Sequence, residues 1–511
     1  MRSELRPASS VDPPVDLSAL ALGPTEDEAE VVSTVCDMVA RFGEDRLDAA
    51  AIDQAHCLPD GLLAELADLG LFSLSIPEAY DGAGLTLAGV SEVVAELAMH
   101  DRSVAATVGL HLGLGTRGLV AFGSDAIKQE YLPRLASGEI VASFAATEPG
   151  AGSDLRSVRT RIEAKGDGLT LNGSKIFVTN GGFADIYTLL VSSPGLGGAR
   201  RGQSLVIAER TDVGVIIGAE EDKLGLRGSS TVTVDFDDVS LPQGRIIGQP
   251  GRGSAQAGHV LAWGRTAMAA GCVGTAQAAL DLARKHVSQR VQFGAPLIQH
   301  PVVRAQVAQA ASDVFAAQSL VRWTGRSDGH ELSRRSTSAK VLASRVGWGV
   351  ADVSLQLHGG SGYIEETGVA LMLRDSRVTR IFEGANDVLL GHAAAMELLS
   401  PSTVVLQASL GPHPSLAKAD AICERVHLWR LALKRRYGMG LLRRARVLHR
   451  FGELVVLRDT AIAVALAAVN DPTREALADL ALHRCAQRCR ELVLPVSDQD
   501  AVDRVIASLA D

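Results

Sequence analysis

The stretch Ser157-Val-Arg-Thr-Arg-Ile-Glu-Ala164-Lys-Gly166-Asp-Gly168-Leu-Thr-Leu171 decides the fold class. Val158, Thr160 and Ile162 alternate with Arg159, Arg161 and Glu163, the two-residue period of a half-buried strand. Gly166-Asp167-Gly168 supplies a turn and Leu169-Thr170-Leu171 resumes the strand, so the segment reads as a hairpin. Working outward, residues 186–191, 204–208, 214–217 and 231–236 are further short β-type runs. Their close spacing predicts a small antiparallel sheet or barrel.

Helix flanks this block on both sides. From Asp27 to about Gly138 apolar residues recur at helical spacing, as in Leu62, Leu63, Leu66, Leu69 and Leu71 and again in Val90, Val93, Val94, Leu97 and Ala98. After Gly251, helices are expected over 266–287, 302–332, 336–357 and 386–399. Helices, then strands, then helices is a segregated order, which predicts an α+β, mainly α protein and not an alternating βαβ sheet. The expected units are a loose arm (1–24), an N-terminal helical domain (25–139), a middle antiparallel β-domain (140–250), a C-terminal four-helix bundle (251–400) and a helical extension (401–511), introduced by Pro401, Pro412 and Pro414.

With 511 residues, two to four structural units are expected. Hydrophobic residues make up 47% and charged residues 21%, a globular composition. A net charge of −9 excludes a general nucleic-acid binder, which needs a basic surface. The N-terminus has no apolar signal-like segment, and the longest uninterrupted apolar candidate, residues 461–469, is too short to span a bilayer. A cytoplasmic protein is the expectation. The six cysteines form no CxxC pair. Cys485 and Cys489 with His483 would lack an obvious fourth metal ligand, so reduced thiols and no metal site are expected.

Gly113-Leu-Gly115-Thr-Arg-Gly118 matches the GxGxxG dinucleotide pattern. That pattern carries meaning only between a buried strand and a helix, and here it lies inside a helical block. It reads instead as small residues that let two helices approach closely.

Four segments carry chemistry. Phe144-Ala-Ala-Thr147-Glu148-Pro-Gly150-Ala-Gly152-Ser153-Asp154 sets glycines among hydroxyl and carboxylate groups, where backbone can approach a flat or anionic ligand. Lys175-Ile-Phe177-Val-Thr179-Asn180 puts a ring and a hydroxyl on what should be one strand face. Arg290-Val-Gln292-Phe293-Gly294 follows a long helix. Taken alone, the first is equally well an ordinary turn, and the other two read rather as a strand ending in an Asn-Gly turn and a helix stop. The fourth is Gln356-Leu-His-Gly359-Gly360-Ser-Gly362-Tyr363, followed by Arg374-Asp375 and Arg380-Ile-Phe382-Glu383-Gly384-Ala385-Asn386-Asp387. The apolar flank Ile381-Phe382 marks out Glu383, because burial against an apolar wall raises a carboxyl pKa toward the working range of a general base.

These segments, in this order and spacing, resemble the acyl-CoA dehydrogenase family. The resemblance spans roughly residues 25–400, and the RIFEGAND wording and long tail are most similar to its very-long-chain branch. It implies FAD as cofactor, with Thr147 and Thr179 bonding the flavin ring and Phe177 packed on it. It places Ser153 near both cofactor and acyl-thioester arm. It places Arg290, Phe293, Gln356, Gly359 and Gly360 on the ADP half of an FAD reached across a dimer. It makes Glu383 the base that removes the substrate α-proton while the β-hydride passes to flavin N5, with the Glu383 backbone N–H helping to hold the thioester oxygen. Gly384 and Arg265 fall beside the substrate. In a minority branch the base sits on an earlier helix, at the position of Gly264 here, which cannot serve.

The resemblance also implies an acyl-CoA substrate of medium to long chain, a trans-2-enoyl product, an electron-transferring flavoprotein or similar acceptor, and a homodimer. Ala385 stands where threonine is usual, His300 is followed by Pro301 where many members have glutamine, and Ala262 and Trp263 replace polar residues near the CoA arm. A carrier-protein thioester therefore stays open, as do an oxidase and a non-catalytic helical scaffold. The arginines at 435, 436, 443, 444, 446 and 450 form either a solvated or paired face, the favoured reading, or a peripheral membrane contact.

Overall fold

A computed structural model describes residues 21–198, 200, 202–401 and 406–493. Most of the expected N-terminal arm lies outside them. The first helical unit comprises α1 (Glu26–Arg46), α2 (Ala49–Ala55), α3 (Leu62–Asp68), α4 (Leu87–His100), α5 (Arg102–Leu110), α6 (Thr116–Phe122) and α7 (Asp125–Ala136). Thr25 and Glu28 form a capping box at the start of α1, and the same Glu28 carboxylate accepts the Thr86 N–H at the start of α4. One side chain thus satisfies backbone donors at two helix starts.

Helices α5 and α6 join through a π-helical turn, His111–Gly115. The joined run, Arg102–Phe122, is long and apolar enough by composition to cross a membrane, unlike residues 461–469. Arg117 and the threonines interrupt the apolar letters without interrupting the helix. Its apolar side chains pack inside the protein, with Val104, Val108, Leu112 and Leu119 fully buried. The glycines of the GxGxxG decoy lie here. A Cβ on Gly113 would stand 3.3 Å from the Trp263 ring, and one on Gly115 would stand 2.7 Å from Ala142 Cβ. They permit close approach to a helix and to a strand.

The middle unit contains β1 (Ala142–Ala145), β2 (Arg161–Lys165), β3 (Gly168–Thr179), β4 (Ile186–Ser192), β5 (Gln203–Glu209), β6 (Val215–Glu220), β7 (Thr231–Pro242) and β8 (Ile246–Ile247). The strand order is β6-β7-β3-β2-β4-β5-β8, with β1 beside β4. Most pairs are antiparallel as expected, and the hairpin that opened the sequence reading is β2–β3. Two pairings, β1 with β4 and β2 with β4, are parallel. Strand β1 was not expected, because Ala142–Ala145 is buried at every position and shows no alternation.

The second helical unit begins with α8 (Gly253–Gln289), followed by the two-residue strands β9 (Val291–Gln292) and β10 (Ala295–Pro296), then α9 (Pro301–Gly325), α10 (Gly329–His358), α11 (Val369–Val378) and α12 (Asn386–Leu399). The helix expected over 302–332 is broken at Arg326–Asp328. Gly325 lies against Ala88 of α4, where a Cβ would meet its Cα at 2.8 Å, and Gly329 adopts φ +44°. The extension adds α13 (Leu406–Leu410), α14 (Pro414–Tyr437), α15 (Ala445–Asn470) and α16 (Glu475–Val493). It shares one apolar core with α8, α9 and α10, and the apolar run 461–468 of α15 is buried there. Arg435, Arg436, Arg443, Arg444 and Arg446 lie on the exposed side, and Tyr437 takes Arg436 and Arg444 within 5.3 and 5.2 Å of its ring.

Candidate active site

Glu383 sits in the turn between α11 and α12. Its φ is +53° and that of Gly384 is +100°. A left-handed glutamate is uncommon and persists where surrounding contacts over-determine it. Those contacts come from three helices. Arg265 of α8 donates from Nε to the Glu383 carbonyl at 2.9 Å. Lys340 of α10 donates from Nζ to the Gly384 carbonyl at 2.7 Å and to Asn386 Oδ1 at 2.8 Å. Asn386, at the first turn of α12, donates in turn to Ser344 Oγ at 3.0 Å, and its backbone N–H closes the turn onto the Arg380 carbonyl at 3.1 Å.

The carboxyl end of Glu383 points inward. Its Oε2 is buried and accepts no hydrogen bond from the protein. A Cβ built on Gly264 would lie 3.3 Å from that oxygen and 2.3 Å from Leu114 Cδ2. The apolar wall is therefore Leu114, presented by the π turn, and the bare backbone of Gly264. Of the flank expected from sequence, Ile381 is 55% exposed, while Phe382 packs on the helical core. Neighbours in sequence diverge in this tight turn, while two distant segments converge. Burial pushes the Glu383 carboxyl up to about 7, against the opposing charges of Arg265, Lys340 and Arg102.

A cavity of about 360 Å³ lies next along α8, lined by Arg117, His259, Trp263, Arg326 and Leu332 among others. Arg117 Nε approaches His259 Nε2 at 3.4 Å, and its guanidinium lies 5.8 Å from the Trp263 ring. Burial, then the Arg117 charge, lowers the His259 pKa.

On the β-domain, Thr147 follows β1, and its carbonyl accepts the Ile176 N–H at 3.0 Å. Ser143 Oγ donates to the Thr179 carbonyl at 2.6 Å. These bonds bring the Thr147 loop and the Lys175–Thr179 strand end together. Thr147 and Thr179 are half-buried and Ser153 is exposed. Phe177 has φ +55° in a β-bulge where the β3–β7 register shifts between Lys175 and Val178. The regular alternation expected to put Phe177 and Thr179 on one face is interrupted there, and the Phe177 ring stands out 61% exposed. Sequence reasoning missed the support beneath. Glu148 accepts Lys175 Nζ at 2.7 Å and the N–H groups of Arg159 and Thr160 at 2.6 and 2.9 Å. Burial lowers the Lys175 pKa to about 8 despite its partner, while the hydrogen bonds and the Lys175 charge hold Glu148 below the usual range despite burial.

A separate group gathers at the far ends of α8 and α10, where the His286 and His358 rings lie 4.3 Å apart. Arg290, Gln356, Gly359 and Gly360 are exposed there. Phe293, at φ +52° in the β9–β10 hairpin, is 95% exposed, and Tyr363 is 80% exposed. Among the described residues no hydrogen bond or ring contact joins this group to Thr147, Phe177, Thr179 or Glu383.

Three descriptions of known domains match the chain: the acyl-CoA dehydrogenase N-terminal domain over residues 26–139, the middle domain over 143–239 and the C-terminal domain over 251–398. An acyl-CoA dehydrogenase of Bacillus subtilis is 35% identical over 356 residues, which cover 69% of this chain and 93% of that one. The chain belongs to the acyl-CoA dehydrogenase family. The mitochondrial very long-chain specific acyl-CoA dehydrogenase of Macaca fascicularis is 34% identical over 373 residues, 71% of this chain. The match spans 57% of the length of that relative. The crystal structure of an acyl-CoA dehydrogenase complexed with FAD from Bacillus anthracis superposes with a TM-score of 0.81 at 25% identity, covering 96% of this chain and 94% of that one.

Within this acyl-CoA dehydrogenase fold, Arg374 and Asp375 hold domains together. Arg374 makes a bidentate pair with Asp53 of α2 at 2.9 and 2.6 Å, and Asp375 accepts the Leu226 N–H from the β-domain at 2.6 Å. Lys340 and Ser344 went unnoticed in sequence because a lysine and a serine inside a helical pattern read as surface residues. The signal available was their position on the helix face that also carries Gly347 and Ala351, both buried.

Proposed function

We propose that this chain catalyses FAD-dependent α,β-dehydrogenation of a saturated acyl thioester, with Glu383 as the base that removes the α-proton. The supporting observation is the buried, unpartnered Glu383 Oε2, held in a left-handed turn with its pKa near 7. A base must be deprotonated at working pH yet basic enough to take a proton, and a pKa near 7 meets both needs. Burial lets the carboxyl approach a C–H bond without competing water. The Glu383 N–H is expected to help stabilise the developing enolate at the thioester oxygen, a preorganised donor of the kind that contributes most to such steps.

The β-domain residues fit a flavin. An exposed ring at Phe177, hydroxyls at Thr147 and Thr179, and a loop in which a Cβ on Gly150 would meet nothing within 4 Å suit a flat heteroaromatic ring with hydrogen-bonding edges. Bound FAD supplies the acceptor for the β-hydride. Ser153, Arg265 and Gly384 are assigned to the substrate side. The exposed Arg290, Phe293, Gln356, Gly359 and Gly360 are assigned to the ADP half of an FAD bound mainly by a partner subunit, which makes the active form a homodimer. The basic lining of the Trp263 cavity suits the phosphates of a CoA or phosphopantetheine arm. An electron-transferring flavoprotein is the proposed electron acceptor.

The test is the anaerobic visible spectrum of the purified protein before and after saturated acyl-CoAs of graded length. Bleaching of a yellow protein by medium to long chains supports the reading. A yellow protein bleached by acyl carrier protein thioesters alone places the substrate on a carrier, and one that no thioester bleaches overturns the reading. Glu383→Gln should keep FAD and lose flavin reduction by about 10²–10⁴-fold or more.

A further inference from the structure

Lys340 is the most deeply buried cation near Glu383. It lies mid-way along α10 with no exposed surface. Its ammonium has three donors, and two are placed on Gly384 O and Asn386 Oδ1. No ion pair to a carboxylate forms at Lys340 among the described residues. A buried charge without a direct counter-ion is unfavourable, and a neutral amide could cap the same carbonyl at less desolvation penalty. Packing alone therefore does not explain a lysine here.

Its surroundings do. The charged and titratable groups facing Lys340 are Glu383, Cys272, Arg265 and Arg380. Those facing Glu383 are Arg265, Lys340 and Arg102. Arg265 holds the carbonyl of Glu383 from α8, and Lys340 holds the next carbonyl from α10. The two cations thus hold the carbonyls of consecutive residues of the left-handed turn from two different helices.

Resting on the reading of Glu383 as base, we propose that Lys340 is a positioning residue for it: its ammonium pins Gly384 and Asn386, fixes the Glu383–Gly384 turn with the carboxyl beside Gly264, and supplies positive charge that keeps the buried carboxylate ionised. Burial lowers the Lys340 pKa to about 8, and the Glu383 charge acts to raise it. The working state then needs Glu383 deprotonated and Lys340 protonated. The pair titrates as a coupled unit, which predicts a bell-shaped dependence of flavin reduction on pH.

The experiment compares full-length, FAD-loaded wild type, Lys340→Gln, Lys340→Met, Lys340→Arg and Glu383→Gln. Anaerobic stopped-flow flavin reduction is measured from pH 5.5 to 9.5. The Glu383 carboxyl C=O band, identified by its loss in Glu383→Gln, is titrated by infrared difference spectroscopy as a readout independent of turnover. Removing a nearby positive charge should raise the Glu383 titration by about one pH unit or more in Lys340→Gln, slow flavin reduction roughly tenfold near pH 7, and abolish the alkaline limb. Lys340→Arg should restore the titration in part. If Lys340→Met does not fold, Lys340→Gln, which keeps a neutral donor on a side chain one bond shorter, carries the test. An unshifted carboxyl band together with a retained alkaline limb in Lys340→Gln overturns the proposal. Undiminished flavin reduction in Glu383→Gln would instead remove the base on which it rests.

Discussion

Replacing Gly264 by alanine adds one methyl group where the structure leaves no room. That Cβ would stand 2.3 Å from Leu114 Cδ2, 2.8 Å from Leu114 Cγ and 3.3 Å from Glu383 Oε2. Carbon atoms pack at about 3.5–4.0 Å, so Leu114 must move by roughly 1 Å and the carboxyl by a few tenths. Leu114 is buried in a cluster with Ile76 and Leu119, so its shift disturbs their packing. Overpacking of this kind typically costs about 1–3 kcal/mol. Alanine in place of a mid-helix glycine returns up to about 1 kcal/mol of helix propensity. The net stability change is therefore small, and the rate is the sensitive readout. Misplacing a reacting group by about 1 Å can cost on the order of 10²-fold, so a carboxyl shift of a few tenths should cost roughly tenfold. The assay is single-turnover flavin reduction by an acyl-CoA that bleaches the wild type, with the flavin spectrum as a control for cofactor binding. Leu114→Ala in the same chain should recover most of the lost rate, because it vacates the space the methyl group needs, and the coupling is read from the double-mutant cycle. A Gly264→Ala protein that reduces flavin within threefold of wild type would refute the placement of the carboxyl against Gly264.

The same carboxyl makes a stability prediction. Its folded pKa, about 7, lies above the ordinary value of 4.5, so the folded state binds the proton more tightly and this contribution is present at low pH and lost as pH rises through 7. Chemical denaturation should find Glu383→Gln more stable than wild type at pH 8 by up to about 3 kcal/mol, with little difference at pH 5; because Asp101 and Asp375 are also pushed up, to about 7 and 6, only the difference between the two proteins isolates Glu383. Arg458→Met should destabilise the fold by about 3 kcal/mol in urea titrations, since it removes the guanidinium that pairs with the buried Glu397 and Asp459 at 2.7 and 2.8 Å and leaves two buried acids beside Arg334 and Ser338. An Arg458→Met loss under 1 kcal/mol would mean that these acids find other partners.

The fold was legible wherever one face of an element is solvated. The run into the β2–β3 hairpin alternates because Val158, Thr160 and Ile162 are buried while Arg159, Arg161 and Glu163 face water. Strand β1 was invisible for the opposite reason: Ala142–Ala145 is covered on both sides, and a short apolar run carries no period. The break between α9 and α10 was missed because Gly325 answers to Ala88, a residue far away in sequence. The candidate site divides in the same way. Glu383, Thr147, Phe177 and Thr179 stand in segments that the resemblance marks, yet the reason for Glu383 was misplaced. Sequence suggested that Ile381 and Phe382 bury it, whereas Ile381 is exposed and the distant Leu114 and Gly264 lie against the carboxyl. Lys340, Glu148 and Lys175 were overlooked as supports, because a buried charge is recognisable only from the partner the fold brings to it.

The extension is tied to the helices that hold Glu383. Ser338 and Lys340 stand two residues apart on α10: Lys340 reaches the Glu383 turn, and Ser338 donates to Asp459 of α15 at 2.6 Å. Helix α12 starts at Asn386, which Lys340 grips, and carries Glu397, which pairs with Arg458 of α15. Arg345 of α10 makes a bidentate pair with Glu453 of α15 at 2.8 and 2.7 Å. Val341, Leu389, Leu390 and Val456 close an apolar cluster among the same three helices, and a Cβ on Gly452 would stand 2.0 Å from the Leu390 carbonyl oxygen. Helix α15 therefore lies against the backbone of α12 and is bonded to both helices that frame the turn. A left-handed glutamate survives only where its surroundings leave no alternative. Helices α10 and α12 can provide that constraint only if their own spacing is fixed, and the contacts that fix it on this side come from α15.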